Sequence, residues 1–286
     1  MIKETQGKTV FITGGASGIG FGMAHAFGRA GMNVVVADID KDVTRKAAEM
    51  LTRDQIKAVP VVCDVGIRSQ VQRAALDAVA AFGKIHVVCN NAGVGAGGAF
   101  GTISEGDWDW IIDVNLKGVV YGTETFVPLI KSHGEGGHII NTASMAGLIS
   151  PPRLEPYSAT KYAVVAMSEG WAQQLQEFDI GVSVLCPGFV NTRIHESERA
   201  RPSRYGGRGG DDAYGERRAE TAKHIQSGLH PDIVGERVLE AVKAGELYIF
   251  THPEMKAAVD ARFEAISAGF KSAEESQALK AIGSSR

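Results

Sequence analysis

The chain has 286 residues, 44% hydrophobic and 22% charged, close to the globular average, which excludes a disordered or fibrous protein. Thirty Lys and Arg against 33 Asp and Glu leave a formal charge of −3, without the positive excess of a general nucleic-acid or acidic-membrane binder. Glycine is the abnormal count: 35 residues, with no collagen period, so the excess must serve turns or places of close backbone approach.

The opening MIKETQGKTV has no basic region followed by an apolar run, so no secretory signal is expected. No stretch approaches the ~18 apolar residues of a membrane span. Cys63, Cys89 and Cys186 all fall in apolar runs, and their odd number argues against a disulfide framework. A soluble cytoplasmic protein with buried, reduced thiols is expected, with neither nucleic acid nor membrane as partner.

Short apolar runs alternate with helix-length amphipathic stretches from the start. Thr9–Thr13 (TVFIT) reads as a strand, followed by glycines and a helix-periodic segment through Arg29. Asn33–Asp38 (NVVVAD) is the second strand, with a helical pattern through Arg53 behind it. Residues 57–63, 85–90, 138–142 and 181–186 repeat the theme, and a last strand, 247–251, follows a helix starting near Pro231. The runs are β-branched and apolar on both alternations, as strands buried on both faces are. This order predicts an α/β fold: a single doubly wound parallel sheet, Rossmann-like, with helices on both faces. From Pro253 a helix and then a frayed polar tail are expected. One stretch breaks the rhythm. Residues 191–215 hold five glycines between 206 and 215 and few apolar side chains, which makes the stretch a lid or a disordered insertion.

Residues 13–20, TGGASGIG, join the first strand to the first helix. A phosphate-bearing ligand needs backbone N–H groups and a helix N-terminus with no side chains in the way. Gly14, Gly18 and Gly20 meet that need, Ser17 adds a hydroxyl, and Ile19 between the glycines is a further cofactor-binding candidate. Asp38 ends the second strand, where an acid bonds the ribose hydroxyls of a dinucleotide. A 2′-phosphate there would be repelled, and Ala16, Ser17 and Ile39 offer no cation, so NAD is expected over NADP. Asp64, beside the Val65 amide, either reaches an adenine edge or caps the helix from Ile67. In Asn90-Asn91-Ala92-Gly93, small residues would let backbone approach a cofactor, while Asn90 could tie strands together.

Tyr157 and Lys161 stand four apart in PYSATKYA and share one helix face. An ammonium ~4 Å from a phenol, at an effective dielectric near 20, is worth up to ~4 kcal/mol, or roughly three pKa units. That brings a phenol from near 10 into the range of a general base. The pair alone is not diagnostic, but Ser144 follows the strand before it, on the edge where open sheets bind ligands. Asn115, in DVNLKG, falls inside a helical region where its amide could break the helix and hold a water. Pro187, Gly188 and Thr192 form a turn that could meet a nicotinamide carboxamide.

With these residues in order, the chain resembles the short-chain dehydrogenase/reductase family over 7–251. The matching marks are TGGASGIG, Asp38, Asp64, NNAG (90–93), Asn115, Ser144, YSATK (157–161) and PGFVNT (187–192). The resemblance implies hydride transfer between nicotinamide and a substrate carbon. It makes Tyr157 the general acid/base and Ser144 the group that bonds the substrate oxygen. Lys161 would bind the nicotinamide ribose and lower the Tyr157 pKa, and Asn115 would hold a water of a proton relay. Val190 falls within the same matching turn. The family also implies a homo-oligomer, dimer or tetramer. One domain over 1–252, with a lid within 191–230, would carry cofactor and chemistry, leaving 253–286 as a C-terminal helix and tail.

Stretches 136–148, 191–202 and 247–265 are similar to bacterial Cα-dehydrogenases that oxidise benzylic alcohols of lignin-derived β-aryl ethers. They favour a bulky aromatic secondary alcohol over a sugar; a steroid, a hydroxyacyl compound or another secondary alcohol is the alternative substrate. Substrate contacts are expected from 93–100, 145–157 and 191–215. The last stretch carries Arg193, Arg199, Arg201, Arg204 and Arg208 among Glu196, Glu198, Asp211 and Asp212: a solvated loop, a lid, or a site for an anionic substrate group. A nucleotide-sensing protein without turnover and a lyase or epimerase on the same fold are the competing readings. With no H-E-x-x-H and no C-x-x-C, no metal is expected.

Overall fold

The computed structural model describes residues 2, 4–207 and 212–283. It divides into a unit ending at Thr251 and a second unit beginning at His252. In the first, β1 (Thr9–Thr13), β2 (Asn33–Asp38), β3 (Ala58–Val62), β4 (Val87–Asn90), β5 (Gly137–Thr142), β6 (Ile180–Cys186) and β7 (Tyr248–Phe250) form one parallel sheet. Their spatial order is β3-β2-β1-β4-β5-β6-β7. Successive side chains of a strand face opposite ways. Thus Val10 and Ile12 pack with Met23, Phe27 and Val238 in one core, while Phe11 packs with Trp110, Phe126 and Ile139 in the other.

The connecting helices are α1 (Gly18–Arg29), α2 (Lys41–Arg53), α3 (Arg68–Phe82), α4 (Glu105–Ile112), α5 (Gly118–His133), α6 (Glu155–Leu175), α7 (Asp212–Gln226) and α8 (Pro231–Ala244). Several starts are written locally. Asp40 caps α2 through the amides of Asp42 and Val43, and Ser104 with Asp107 forms a reciprocal capping box on α4. Between α4 and α5 the chain widens into a π-helical turn, Asp113–Lys117. The sheet's edge explains Pro60. It lies in β3, which pairs with β2 alone, so no second ladder needs its missing N–H.

The predicted strands are present, with ends moved by one or two residues and β3 and β7 trimmed to 58–62 and 248–250. In β3 only Val61 is buried, unlike the expected two-faced burial. In the second unit the helix expected from Pro253 is α9 (Lys256–Glu275), and α10 (Gln277–Gly283) follows where a frayed tail was foreseen. All three cysteines are unpaired and buried. Among the described residues, no helix is long and apolar enough to cross a membrane.

Burial decides one acid-stability property. His138 on β5 is buried, with Nε2 2.8 Å from Ser183 Oγ, whose hydroxyl donates to the Glu246 carbonyl. Burial pushes its imidazole from 6.5 down to about 3. Between those values the unfolded chain binds a proton that the folded chain refuses. Stability is therefore complete above pH 6.5 and declines as pH falls, by at most about 1.4 kcal/mol per pH unit. Urea unfolding between pH 7 and 4 should show this slope, and His138→Gln should flatten it. An unchanged slope in the variant would assign the acid sensitivity elsewhere.

Candidate active site

The chain runs outward from β1 to β2 and β3, then crosses back to β4 on the other side of β1. Open sheets bind ligands in the crevice such a reversal leaves at the strands' carboxyl ends. Here the crevice is fixed by side chains. Thr13 Oγ1 accepts from the amides of Asn91 (2.9 Å) and Ala92 (3.0 Å) and donates to the Cys89 carbonyl (3.2 Å). Asn91 Nδ2 donates back to the Thr13 carbonyl at 3.0 Å, and its Oδ1 accepts from Thr142 on β5. Asn90 Nδ2 binds Asn141 and Thr123, tying β4 to β5 and α5.

The glycine turn is a cradle that side chains would fill. Gly14 has φ +60°, and a Cβ on it would lie 2.9 Å from Ala92 Cα. A Cβ on Gly20 would strike the Gly14 carbonyl. Gly18 and Ile19 open α1 beneath the turn, and Gly18 faces Thr192, just beyond the bridge that pairs Val190 with Leu229. Ser17 is the extended N-cap of α1, yet its side chain makes no capping bond. Asp38 stands beside the turn, accepting from the amides of Ala16 (3.3 Å) and Ile39 (2.8 Å). Burial raises its carboxyl above the ordinary carboxylate value, against those bonds and the pull of Arg199. Ala16, Ser17 and Ile39 offer no cation, as expected; the positive charge that acts on Asp38 is that of Arg199, from the 191–215 stretch.

The capping reading of Asp64 is corrected. The residue before α3 that takes the cap position is Ile67. Asp64 instead holds the Gly66 amide on Oδ1 (3.0 Å) and the Arg204 guanidinium on Oδ2 (2.8 Å). Val65 beside it is buried.

The reactive side chains converge at the ends of β4, β5 and β6. Ser144, just beyond β5, accepts from the Ala146 amide (3.1 Å), and its hydroxyl acts on the Tyr157 phenol to lower its pKa. Met145 N donates to the Pro187 carbonyl (2.9 Å), which brings the 187–192 turn, Gly188 included, alongside. Lys161 is 2% exposed and donates to the Thr142 carbonyl (2.8 Å). Burial lowers its ammonium to about 8. Its Nζ lies 5.5 Å from the centre of the Tyr157 ring. Burial dominates the phenol and raises its pKa, with Ser144 working the other way. The net depression expected from the spacing is therefore not found in the protein by itself, because burial outweighs it.

Asn115 sits in the π-helical turn, fully buried. Its amide is held at both ends by Val94, with Oδ1 accepting from the amide (2.8 Å) and Nδ2 donating to the carbonyl (2.9 Å). Gly93 lies against both groups: a Cβ there would be 3.5 Å from Asn115 Oδ1 and 3.6 Å from Lys161 Nζ.

The three stretches expected to meet substrate do meet each other. Gly98 N donates to the Arg153 carbonyl, and Gly95 N donates to Ser197 Oγ, both at 3.0 Å. The 191–215 stretch is a strap of short helical turns, Ile194–Ala200 and Ser203–Tyr205, followed at Asp212 by α7. Arg208 and Asp211 lie outside the described residues. Sequence reasoning missed Thr13 and Tyr205. Thr13 has a signal, a hydroxyl closing a buried strand before the glycine turn; Tyr205 has none.

Away from this crevice, His86, His133 and Glu135 gather within 4.8 Å. Their ring nitrogens are already engaged with Thr9 N, Glu135 and the Ile85 carbonyl, and Lys84 pairs with Glu135, so they form a hydrogen-bonded knot.

The family model described as short chain dehydrogenase matches residues 8–203. The C alpha-dehydrogenase of Sphingobium sp. strain SYK-6 is 39% identical over 269 residues, 93% of this chain and 87% of that protein. A short-chain dehydrogenase/reductase of Burkholderia phymatum, solved in complex with NAD, superposes with a TM-score of 0.91 at 37% identity. That match covers 94% of this chain and 97% of the other. The apo form of LigD from Sphingobium sp. strain SYK-6 gives 0.77 at 34% identity, covering 92% and 97%.

Asn115→Ala would leave the buried Val94 amide and carbonyl without partners. The expected loss is about 2 kcal/mol or more of unfolding free energy, read by chemical denaturation. A loss below about 0.5 kcal/mol would mean that the bonds to Val94 contribute little.

Proposed function

The chain belongs to the short-chain dehydrogenase family, and from that premise we propose that it oxidises a bulky benzylic secondary alcohol to the ketone, or the reverse, with NAD. The observation that carries this is the gathering of Ser144, the Tyr157 phenol and buried Lys161 beside the glycine cradle, with the Lys161 Nζ 5.5 Å from the centre of the Tyr157 ring.

The residues present fit a dinucleotide. The Gly14–Gly20 turn and the start of α1 offer a pyrophosphate backbone amides without obstruction, and Ser17 adds its hydroxyl. Asp38 takes the adenosine ribose, with Ile39 beside it. Asp64 and Val65 take the adenine edge. Asn91, Ala92 and Gly93 form the floor, while Pro187, Gly188, Val190 and Thr192 border the nicotinamide end. When bound, NAD supplies the hydride acceptor at nicotinamide C4. Asp38 disfavours a 2′-phosphate even beside Arg199, because that guanidinium is already committed to the carbonyls of Arg193 (2.8 Å) and Glu196 (3.1 Å).

In this reading Ser144 donates to the substrate oxygen and Tyr157 takes the alcohol proton, or returns it to the ketone. Lys161 holds the nicotinamide ribose and places a positive charge behind the phenol. Asn115 shapes the turn that keeps Gly93 open and orders a water for proton exchange with Lys161. A bulky aromatic substrate is supported by the similarity to a C alpha-dehydrogenase and by the small-residue loop Gly93–Gly98. Phe100, fully exposed, and Phe189, half-exposed, add aromatic surface on two of the segments that frame the site.

Tyr157→Phe should lower kcat by about 10² to 10⁴ while the NADH dissociation constant stays within about twofold; wild-type-like turnover would sink the assignment. Burial raises the phenol's pKa, so the proton-accepting phenolate grows only as pH rises. Alcohol oxidation should therefore climb with pH through the alkaline range and ketone reduction should fall, with Lys161→Met moving both limbs upward. NADH absorbance across benzylic alcohols, steroids and hydroxyacyl thioesters tests the substrate. The aromatic reading fails if only the last two react, and the cofactor reading fails if NADP has the lower KM.

A further inference from the structure

We infer that Arg204, held by Asp64 and Tyr205, is an adenine-binding residue, so that the strap after β6 clamps the adenosine half of the cofactor. This rests on the NAD reading above and goes beyond it, because none of the sequence marks places the strap at that end.

The strap leaves β6, which lies four places from β2 in the sheet, and returns across the crevice to the ends of β3 and α4. Two arginines fasten it there, and they differ in kind. Arg201 is buried: its side chain is 5% exposed and Asp107 beside it 7%, with Nη1 2.6 Å from Asp107 Oδ1. It also donates to the carbonyls of Tyr205 (3.0 Å) and Gly206 (2.9 Å) and lies over the Trp110 ring. That pair is an anchor, and removing either partner would strand a buried charge.

Arg204 is the working end. Its Nη1 is 2.8 Å from Asp64 Oδ2, and its Nη2 donates to the Tyr205 hydroxyl at 2.9 Å. That hydroxyl donates onward to Asp113 Oδ2 at 2.8 Å, at the start of the π-helical turn that carries Asn115. The guanidinium carbon stands 4.5 Å from the centre of the Tyr205 ring. One face of the planar cation is thus supported, while the side chain remains 38% exposed. Arg204 Nη2 and the Tyr205 hydroxyl both crowd Gly66, so they sit on the β3–α3 turn itself, where Asp64 and Val65 present the adenine subsite.

A planar, delocalised cation with an open face stacks on a purine, and its fork neutralises a mostly buried carboxylate that accepts from an amino group. Arg204 therefore supplies both the stacking surface and the charge that fixes Asp64. The nicotinamide end, formed by other segments, receives neither.

The experiment compares wild-type, Arg204→Met and Tyr205→Phe proteins, each checked for an unchanged thermal transition. NADH binding is followed by fluorescence, ADP-ribose by calorimetry, reduced nicotinamide mononucleotide by fluorescence, and NADH release by stopped-flow displacement. Arg204→Met should weaken NADH and ADP-ribose about tenfold and release NADH faster by a similar factor. Tyr205→Phe, which keeps the ring but loses the hydroxyl, should move both about two- to threefold the same way. Binding of the mononucleotide, which lacks adenosine, should not change. Unaltered ADP-ribose affinity overturns the proposal. So does tighter binding, which would make the guanidinium an obstruction, or a loss shared equally by the mononucleotide. A wild-type protein that binds neither NADH nor ADP-ribose overturns the NAD reading as well, which separates the two failures.

Discussion

The hydroxyl of Thr13 is the point on which the site depends. It closes β1 by accepting two amides from the turn after β4 and donating to the Cys89 carbonyl within β4. The two strands on either side of the sheet's reversal are thereby locked at their carboxyl ends. Gly14 and Ala92 then face each other across a gap with no room for an added carbon. The crevice is narrow because backbone lines it, and backbone can line it because the side chains that would fill it are missing. Asn91 extends the lock to β5 through Thr142. The carbonyl of that same Thr142 receives the Lys161 ammonium. One hydrogen-bonded band thus runs from the glycine turn to the buried lysine.

Burial sets the chemistry at the far end of that band. A lysine 2% exposed that donates to the Thr142 carbonyl gives up most of its hydration, and its ammonium weakens to about 8. The same burial strengthens the phenol's hold on its proton. Burial therefore drives the two groups apart in proton affinity: the ammonium gives up its proton more readily, while the phenol keeps its own. A phenol that keeps its proton is the form that donates to a ketone, and alcohol oxidation needs a higher pH to open it.

What the sequence made legible was local. The strands announced themselves by apolar runs, and Tyr157 and Lys161 by their spacing on one helix. The glycine turn was visible because absent side chains are visible in a sequence. The disturbance at Asn115 could also be anticipated, as a polar amide inside an otherwise regular helical stretch. Its attachment to Val94 could not, because the partner is backbone and carries no residue signature. The omissions share one cause. Asp38 lacked a cation and Asp64 was offered a capping role only as long as their chain neighbours were considered. Arg199 and Arg204 reach them from beyond β6, across the sheet.

The strap shows why composition alone could not resolve a charged loop. Its arginines look interchangeable in sequence, but burial separates them. Arg201 lies with Asp107 where truncating either would strand a charge, whereas Arg193 and Glu196 form a pair in solvent that contributes little. Arg204 lies between these cases, half in water and bound to a carboxylate that is 8% exposed. A pair of this intermediate kind orders the segment while leaving part of the guanidinium in water, where a ligand can reach it. The buried anchor one turn earlier holds the strap in place behind it.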